Sequence, residues 1–184
     1  MSAGQSLVIS GTGSQGVATL IAARKYGIGP IAMLGLSKDT ARFKLAEEFG
    51  AKYSINIEND DPLEAVPDLL DGSPDVVIET SGVPSAIQTA IKLVKMKGCV
   101  VSIGISGGKK TSIQFDNLVA KGVTIISAHA QAGNYPDAMK IFNSGKFVTK
   151  KINNFTYSLE DLPQALKATA KPSNEFIKGA VVFD

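Results

Sequence analysis

Apolar residues recur along this chain in two alternating rhythms. Short runs of β-branched and aliphatic residues at 7–9, 30–34, 53–55, 75–80, 99–103 and 123–127 read as strands of the fully buried type. Between them the spacing lengthens to three and four residues. The stretch 14–26 gathers Val17, Leu20 and Ile21 on one face and leaves Arg24 and Lys25 off it, and Gly27 suits its C-terminal cap. Residues 39–49 stripe Ala41, Leu45 and Phe49 before Gly50 stops the helix. Residues 84–97 place Ile87, Ala90, Ile91 and Val94 together before Gly98. A weaker helix over 61–70 carries Pro67, which is expected to end or kink it, because proline lacks the N–H that an interior turn needs. A short helical piece near 116–120 precedes the last strand.

Strand, helix, strand, helix with connections this short requires parallel strands and crossover helices. The expected fold is therefore α/β: a doubly wound, parallel, six-stranded Rossmann sheet with helices on both faces. After about Tyr135 the pattern changes to helix 136–142, strand 152–156, helix 159–169 and strand 180–183. Residues 1–134 read as the sheet domain, and 135–184 as a short C-terminal helix/strand appendage from a neighbouring layer. In this strand order 123–127 lies at an edge with no charge or proline to protect it, so a homodimer through that strand is expected.

Composition narrows the function classes more than it changes the fold. The 184 residues are 44% hydrophobic and 20% charged, an ordinary balance for a globular chain. A net charge of +2 is too small to argue for nucleic acid or an anionic membrane, and no apolar run approaches a membrane span. One cysteine, Cys99, lies inside a strand and cannot form an internal disulfide, so the cytoplasm is the expected location.

The candidate chemistry starts at Gly11-Thr12-Gly13-Ser14-Gln15-Gly16, a G-x-G-x-x-G turn between the first strand and the first helix. Its first glycine permits the tight turn, and its second lets the backbone approach a pyrophosphate. Its third allows the helix to pack on the strand, so that the helix N-terminus faces the phosphates. The end of the second strand then selects the dinucleotide, since an acidic residue there binds the ribose hydroxyls of NAD. Counting forward from Gly11 places Gly35 at that position and counting back from Gly50 places Ser37 there, and neither count brings in a carboxylate. Ser37, Lys38 and Arg42 cluster where the 2′-phosphate of NADP would lie, so NADP is expected to be preferred over NAD. Asp39 reads as the N-cap of the next helix in preference to a ribose ligand, and the expected NADP preference holds unless its side chain swings inward.

The glycine turn, Arg42-Phe43-Lys44-Leu45-Ala46-Glu47-Glu48-Phe49-Gly50-Ala51 and Asp75-Val76-Val77-Ile78-Glu79-Thr80-Ser81-Gly82 resemble the cofactor domain of the medium-chain dehydrogenase/reductase superfamily. Gly98–Gly104, Asn134–Ala138 and Tyr157–Leu162 extend the resemblance toward the C-terminus, in the zinc-type alcohol, polyol and threonine dehydrogenase branch. The resemblance implies hydride transfer between nicotinamide and an alcohol or carbonyl substrate. It also implies that Thr80, Ser81 and Gly82 border the adenosine side, that Ile103, Gly104 and Ile105 lie by the nicotinamide, and that the backbone at Ser127, Ala128 and Ala130 meets its carboxamide.

Family members also carry a catalytic domain with zinc ligands, in the same or another chain, and no such segment is present in this sequence. Catalytic zinc takes three protein ligands, and here only Cys99 and His129 offer a thiol or an imidazole, so no residue is nominated as metal ligand, acid or base. Other readings are a non-catalytic dinucleotide sensor, a zinc-free quinone or enoyl reductase fragment, and an S-adenosylmethionine methyltransferase. The last wants acidic residues before the glycines and at the end of the second strand, where Ile9-Ser10 and Gly35 stand.

Overall fold

A computed structural model describes residues 1–128 and 133–183, the Thr149 side chain excepted. Six strands form one parallel sheet: β1 (Leu7–Ser10), β2 (Ile31–Gly35), β3 (Tyr53–Asn56), β4 (Val76–Glu79), β5 (Cys99–Ser102) and β6 (Thr124–Ser127), in the order β3-β2-β1-β4-β5-β6. The helices α1 (Ser14–Lys25), α2 (Thr40–Glu48), α3 (Pro62–Leu70), α4 (Pro84–Leu93) and α5 (Phe115–Lys121) cross between successive strands. This is the expected doubly wound Rossmann sheet. The winding reverses between β1 and β4, which pair directly, and that junction is where open α/β sheets take ligands.

Side-chain alternation sorts the core into two layers, because successive strand residues point to opposite faces. Leu7, Ile9, Ile31, Met33, Val76 and Ile78 pack under Val17, Leu20 and Ile21 of α1 and Leu45 and Ala46 of α2. On the other face Val8, Ala32, Val77 and Val100 meet Val66 of α3 and Ala90, Ile91 and Leu93 of α4. Strands β1, β2 and β4 are buried at every position, whereas β6, at the edge, is exposed at every position.

Two helix boundaries differ from expectation. Helix α3 runs through Pro67 instead of ending there. The Asp61 carboxylate caps its start by accepting from the Leu63 N–H at 2.9 Å, fully buried Val66 anchors the middle, and the Pro67 carbonyl accepts from the Gly72 N–H at 2.8 Å to close it. One missing donor is outweighed by this cap and burial. Helix α4 stops at Leu93 rather than near Lys97, because Val94 turns extended while remaining buried, and the Lys95 N–H leaves the helix for the Pro74 carbonyl at 3.0 Å.

Beyond residue 132 lie α6 (Tyr135–Asn143), β7 (Asn153–Tyr157), α7 (Leu162–Ala170) and β8 (Lys178–Val181), with β7 and β8 paired in parallel. This segment rests on the α1/α2 face through Ile141, Phe147, Ile152 and Ile177. The Phe147 ring meets Phe49 edge-on at 6.0 Å between centroids.

Candidate functional site: a dinucleotide cleft at the sheet switch point

Parallel pairing brings Ser10 level with Leu34 on one side and Glu79 on the other, so the C-terminal ends of β1, β2 and β4 open together. They border a cavity of about 400 Å³, lined among others by Gly11, Gly13, Gly35, Lys38, Arg42, Thr80 and Ser81. Seven of the residues singled out in the sequence therefore meet in one place.

Each glycine of the turn has a separate reason. Gly11 has φ +110°, and a Cβ there would sit 2.6 Å from Thr80 Oγ1. A Cβ at Gly16 would lie 2.0 Å from the Gly11 carbonyl oxygen, so α1 could not approach the turn. Gly13 is different: among the described residues a Cβ there meets no atom within 4 Å, although the residue lines the cavity. A side chain there would obstruct a ligand rather than the described protein. The N-terminus of α1 begins at this point with no side-chain cap and no acidic residue in its first turn, which leaves its positive end available to an anion. The residues present thus fit a dinucleotide.

The neighbouring turn is held by a residue that sequence reasoning read only as part of a strand. Glu79 is fully buried at the end of β4, and its Oε1 accepts from the Ser81 N–H at 2.7 Å, the Gly82 N–H at 3.1 Å and the Ser81 hydroxyl. A carboxylate in an otherwise apolar strand was the available signal. Thr80 adds two bonds to the Ser10 carbonyl, from its N–H and its hydroxyl, both 2.9 Å. Gly82 and Gly104 then touch: a Cβ on Gly104 would fall 2.0 Å from the Gly82 nitrogen. The loop after β5 is thereby seated against the cleft, with Ile103 half-buried and Ile105 exposed beyond it.

Ser14 and Gln15 line a second cleft, of about 600 Å³, together with Lys150 and Lys178 from the C-terminal segment. Both lysines reach this cleft from the C-terminal segment, Lys178 at the start of β8, and line it with Ser14 and Gln15 of α1. Gly16, Ser37, Gly82, Ile103, Gly104, Ile105, Ser127 and Ala128 do not line the 400 Å³ cavity. Ser127 and Ala128 are exposed at the end of β6, and Ala130 lies outside the described residues, as does His129.

The rim beyond β2 departs from expectation. Asp39 precedes α2 but does not cap it. Its carboxylate folds back, Oδ2 accepting from the Leu36 N–H at 2.9 Å and Oδ1 from Arg42 Nη1 at 2.8 Å. Arg42 also donates through Nη2 to the Phe176 carbonyl at 2.6 Å, while its Nε is buried without a partner among the described residues. Ser37 accepts from the Asn56 amide at 2.9 Å and donates its N–H to Glu58 at 2.7 Å. Hydrogen bonding by Ser37, through its side chain first and its backbone second, holds the Glu58 carboxyl below its ordinary range, with Lys38 adding attraction. The sequence hid these contacts because a side chain's choice between capping forward and folding back is a property of the turn.

A family model described as zinc-binding dehydrogenase matches residues 16–144. The chain belongs to the zinc-binding dehydrogenase family. Among its relatives in that family, sorbitol dehydrogenase of Halalkalibacterium halodurans is 29% identical over 177 residues, covering 95% of this chain and 51% of the relative. Sorbitol dehydrogenase of Bacillus subtilis is 28% identical, covering 95% and 49%. Zinc-dependent alcohol dehydrogenase 2 from Streptococcus pneumonia superposes with a TM-score of 0.91 at 25% identity, covering 100% of this chain and 53% of that one. The chain spans about half the length of the curated relatives it matches.

Zinc itself has no fit within the described residues: no three His, Cys, Asp or Glu gather there. No helix there is long and apolar enough to cross a membrane.

Proposed function

We propose that this chain is the cofactor-binding half of a dehydrogenase that moves hydride between a nicotinamide dinucleotide and an alcohol, polyol or carbonyl substrate. The carrying observation is the open space over Gly13 at the uncapped start of α1, at the end of the strand where the sheet reverses. In this reading the pyrophosphate lies on the Gly13–Gln15 backbone, beside the cleft that Ser14 and Gln15 share with Lys178. The adenosine occupies the 400 Å³ cavity, its base against apolar Ile57, Pro62 and Val83. The nicotinamide extends toward Ile103, Gly104 and Ile105, with Ser127, Ala128 and Ala130 on its carboxamide side. The substrate and any zinc belong to a catalytic domain in the same or another chain.

Two further parts of the reading are a cytoplasmic location and a homodimer through β6, whose Ile125 and Ile126 are 42% and 49% exposed at the sheet edge. The expected preference for NADP over NAD rested on Ser37, Lys38 and Arg42, and the engagement of Ser37 and Arg42 within the protein removes much of that support.

Titration calorimetry with NADH and NADPH, followed by steady-state assays on a panel of alcohols, aldehydes and ketones with added zinc, tests the proposal. Binding without turnover is the expected result. Turnover by the pure chain would place the chemistry within these residues, and binding of neither cofactor would remove the proposal.

A further inference from the structure

The strand-end position that would carry a ribose-binding acid is closed in this chain. A Cβ on Gly35 would stand 2.7 Å from Thr12 Cγ2 and 2.8 Å from the Phe43 ring, so no side chain fits while those neighbours stay in place. Four residues later the chain supplies a carboxylate to the same cavity. Asp39 is 5% exposed, lines the cavity with Gly11 and Gly13, and is bonded to the N–H of Leu36, the residue that follows Gly35. The short 3-10 turn at Ser37–Asp39 brings it back to the strand end.

We propose that Asp39 is the specificity-determining residue for the adenosine ribose and makes the site favour NADH over NADPH. The inference rests on the dinucleotide reading above. A carboxylate offers about four acceptor positions. Leu36 and Arg42 occupy two in fixed geometry, leaving acceptor capacity for a vicinal diol.

A 2′-phosphate meets the opposite environment. The Asp39 carboxylate neutralises Arg42, whose second amino group is committed to the Phe176 carbonyl. Glu58 adds another negative charge on the Ser37 N–H. Lys38 is offset by the Glu58 carboxylate it attracts, so a dianion placed among these groups finds no net positive charge to bind.

The test is calorimetric titration of NADH and NADPH against wild type, Asp39→Asn and Asp39→Ala, with circular dichroism melting to confirm folding. Wild type is expected to bind NADH at least tenfold tighter than NADPH. Asp39→Ala frees Arg42, so NADH affinity should fall about tenfold while NADPH affinity holds or rises. Asp39→Asn retains an oxygen for the Leu36 N–H and removes the charge, so its cofactor ratio should lie between the two and keeps the test usable if the alanine variant does not fold. Equal or tighter NADPH binding by wild type overturns the inference and leaves the dinucleotide reading standing. Equal losses for both cofactors in Asp39→Asn also overturn it, by reducing Asp39 to a structural role. Failure of wild type to bind either cofactor overturns the inference and that reading together.

Discussion

The two sides of the six-stranded sheet are built to different standards. On the β2–β1–β4 side, Leu7, Val8 and Ile9 have no exposed surface, helices cover both faces, and the glycine turn opens from the strand ends. On the other side β6 is exposed throughout, and α5 leaves Phe115 and Val119 about 70% and 67% exposed. The C-terminal segment resembles the second side more than the first, with Leu166 at 62% and, among its described hydrophobics, only Ala165 and Phe176 buried. The cleft is set in the part of the molecule whose packing is complete within the chain, so its backbone geometry needs no other surface to define it. The less covered parts are those the proposed function gives to another copy or another domain.

Core truncation is the strongest way to break this contrast. Leu20→Ala, at a fully buried position against β1, should cost about 2–5 kcal/mol, whereas Leu166→Ala in α7 should stay within about 0.5 kcal/mol. Urea unfolding of both variants measures the difference, and similar costs would mean that the C-terminal segment is as much core as the sheet.

Next in size is the link between the two regions. Arg42→Ala removes the donor to Phe176 and the partner of Asp39, and should cost about 1–3 kcal/mol. Hydrogen exchange should then rise around residues 171–178, and unchanged exchange there would show that the link does not hold the segment.

How much of this contrast was legible in the sequence depends on what kind of contact made it. Runs such as Leu7-Val8-Ile9 and Val76-Val77-Ile78 specify buried parallel strands by composition alone, and G-x-G-x-x-G at a strand-to-helix junction specifies the cleft. The unprotected edge at 123–127 was also readable. Contacts decided by tertiary bonding were not. Val94 leaves its helix without leaving the core, Pro67 is carried by the burial of its neighbour, and Asp39 trades a capping role for a bond to Leu36. Glu79 was visible as a carboxylate among aliphatics, but the direction of its side chain, into the Ser81–Gly82 turn, was not.

Substituting the edge should separate assembly from folding. Ile125→Lys places a charge on an exposed strand position, so chain stability should change by no more than about 0.5 kcal/mol while sedimentation shifts from dimer toward monomer. Wild type sedimenting as a monomer at high concentration would remove the edge from the account.

The smallest expected effect lies at the opposite end of the strands. Hydrogen bonding from Lys95 first, then from Ser6, holds the Asp75 carboxyl below its ordinary value of 3.8, against the opposing effect of burial. A carboxyl lowered on folding contributes stability above its unfolded value and loses it as pH falls through the folded one. Wild type should therefore lose this contribution progressively below about pH 4, and Asp75→Asn should show a flatter acid limb in melts from pH 5 to pH 2. Parallel acid limbs would show that the cluster adds nothing to folding.

The central claim, that the glycine turn is shaped for a dinucleotide rather than for packing, is tested most directly at Gly13. Its φ of −66° is open to any residue, and among the described residues a Cβ there touches no atom within 4 Å. Gly13→Val should therefore melt within a degree or two of wild type yet lose at least a hundredfold in nicotinamide dinucleotide affinity, about 2.8 kcal/mol, by calorimetric titration. Full affinity in a folded Gly13→Val chain would contradict the account.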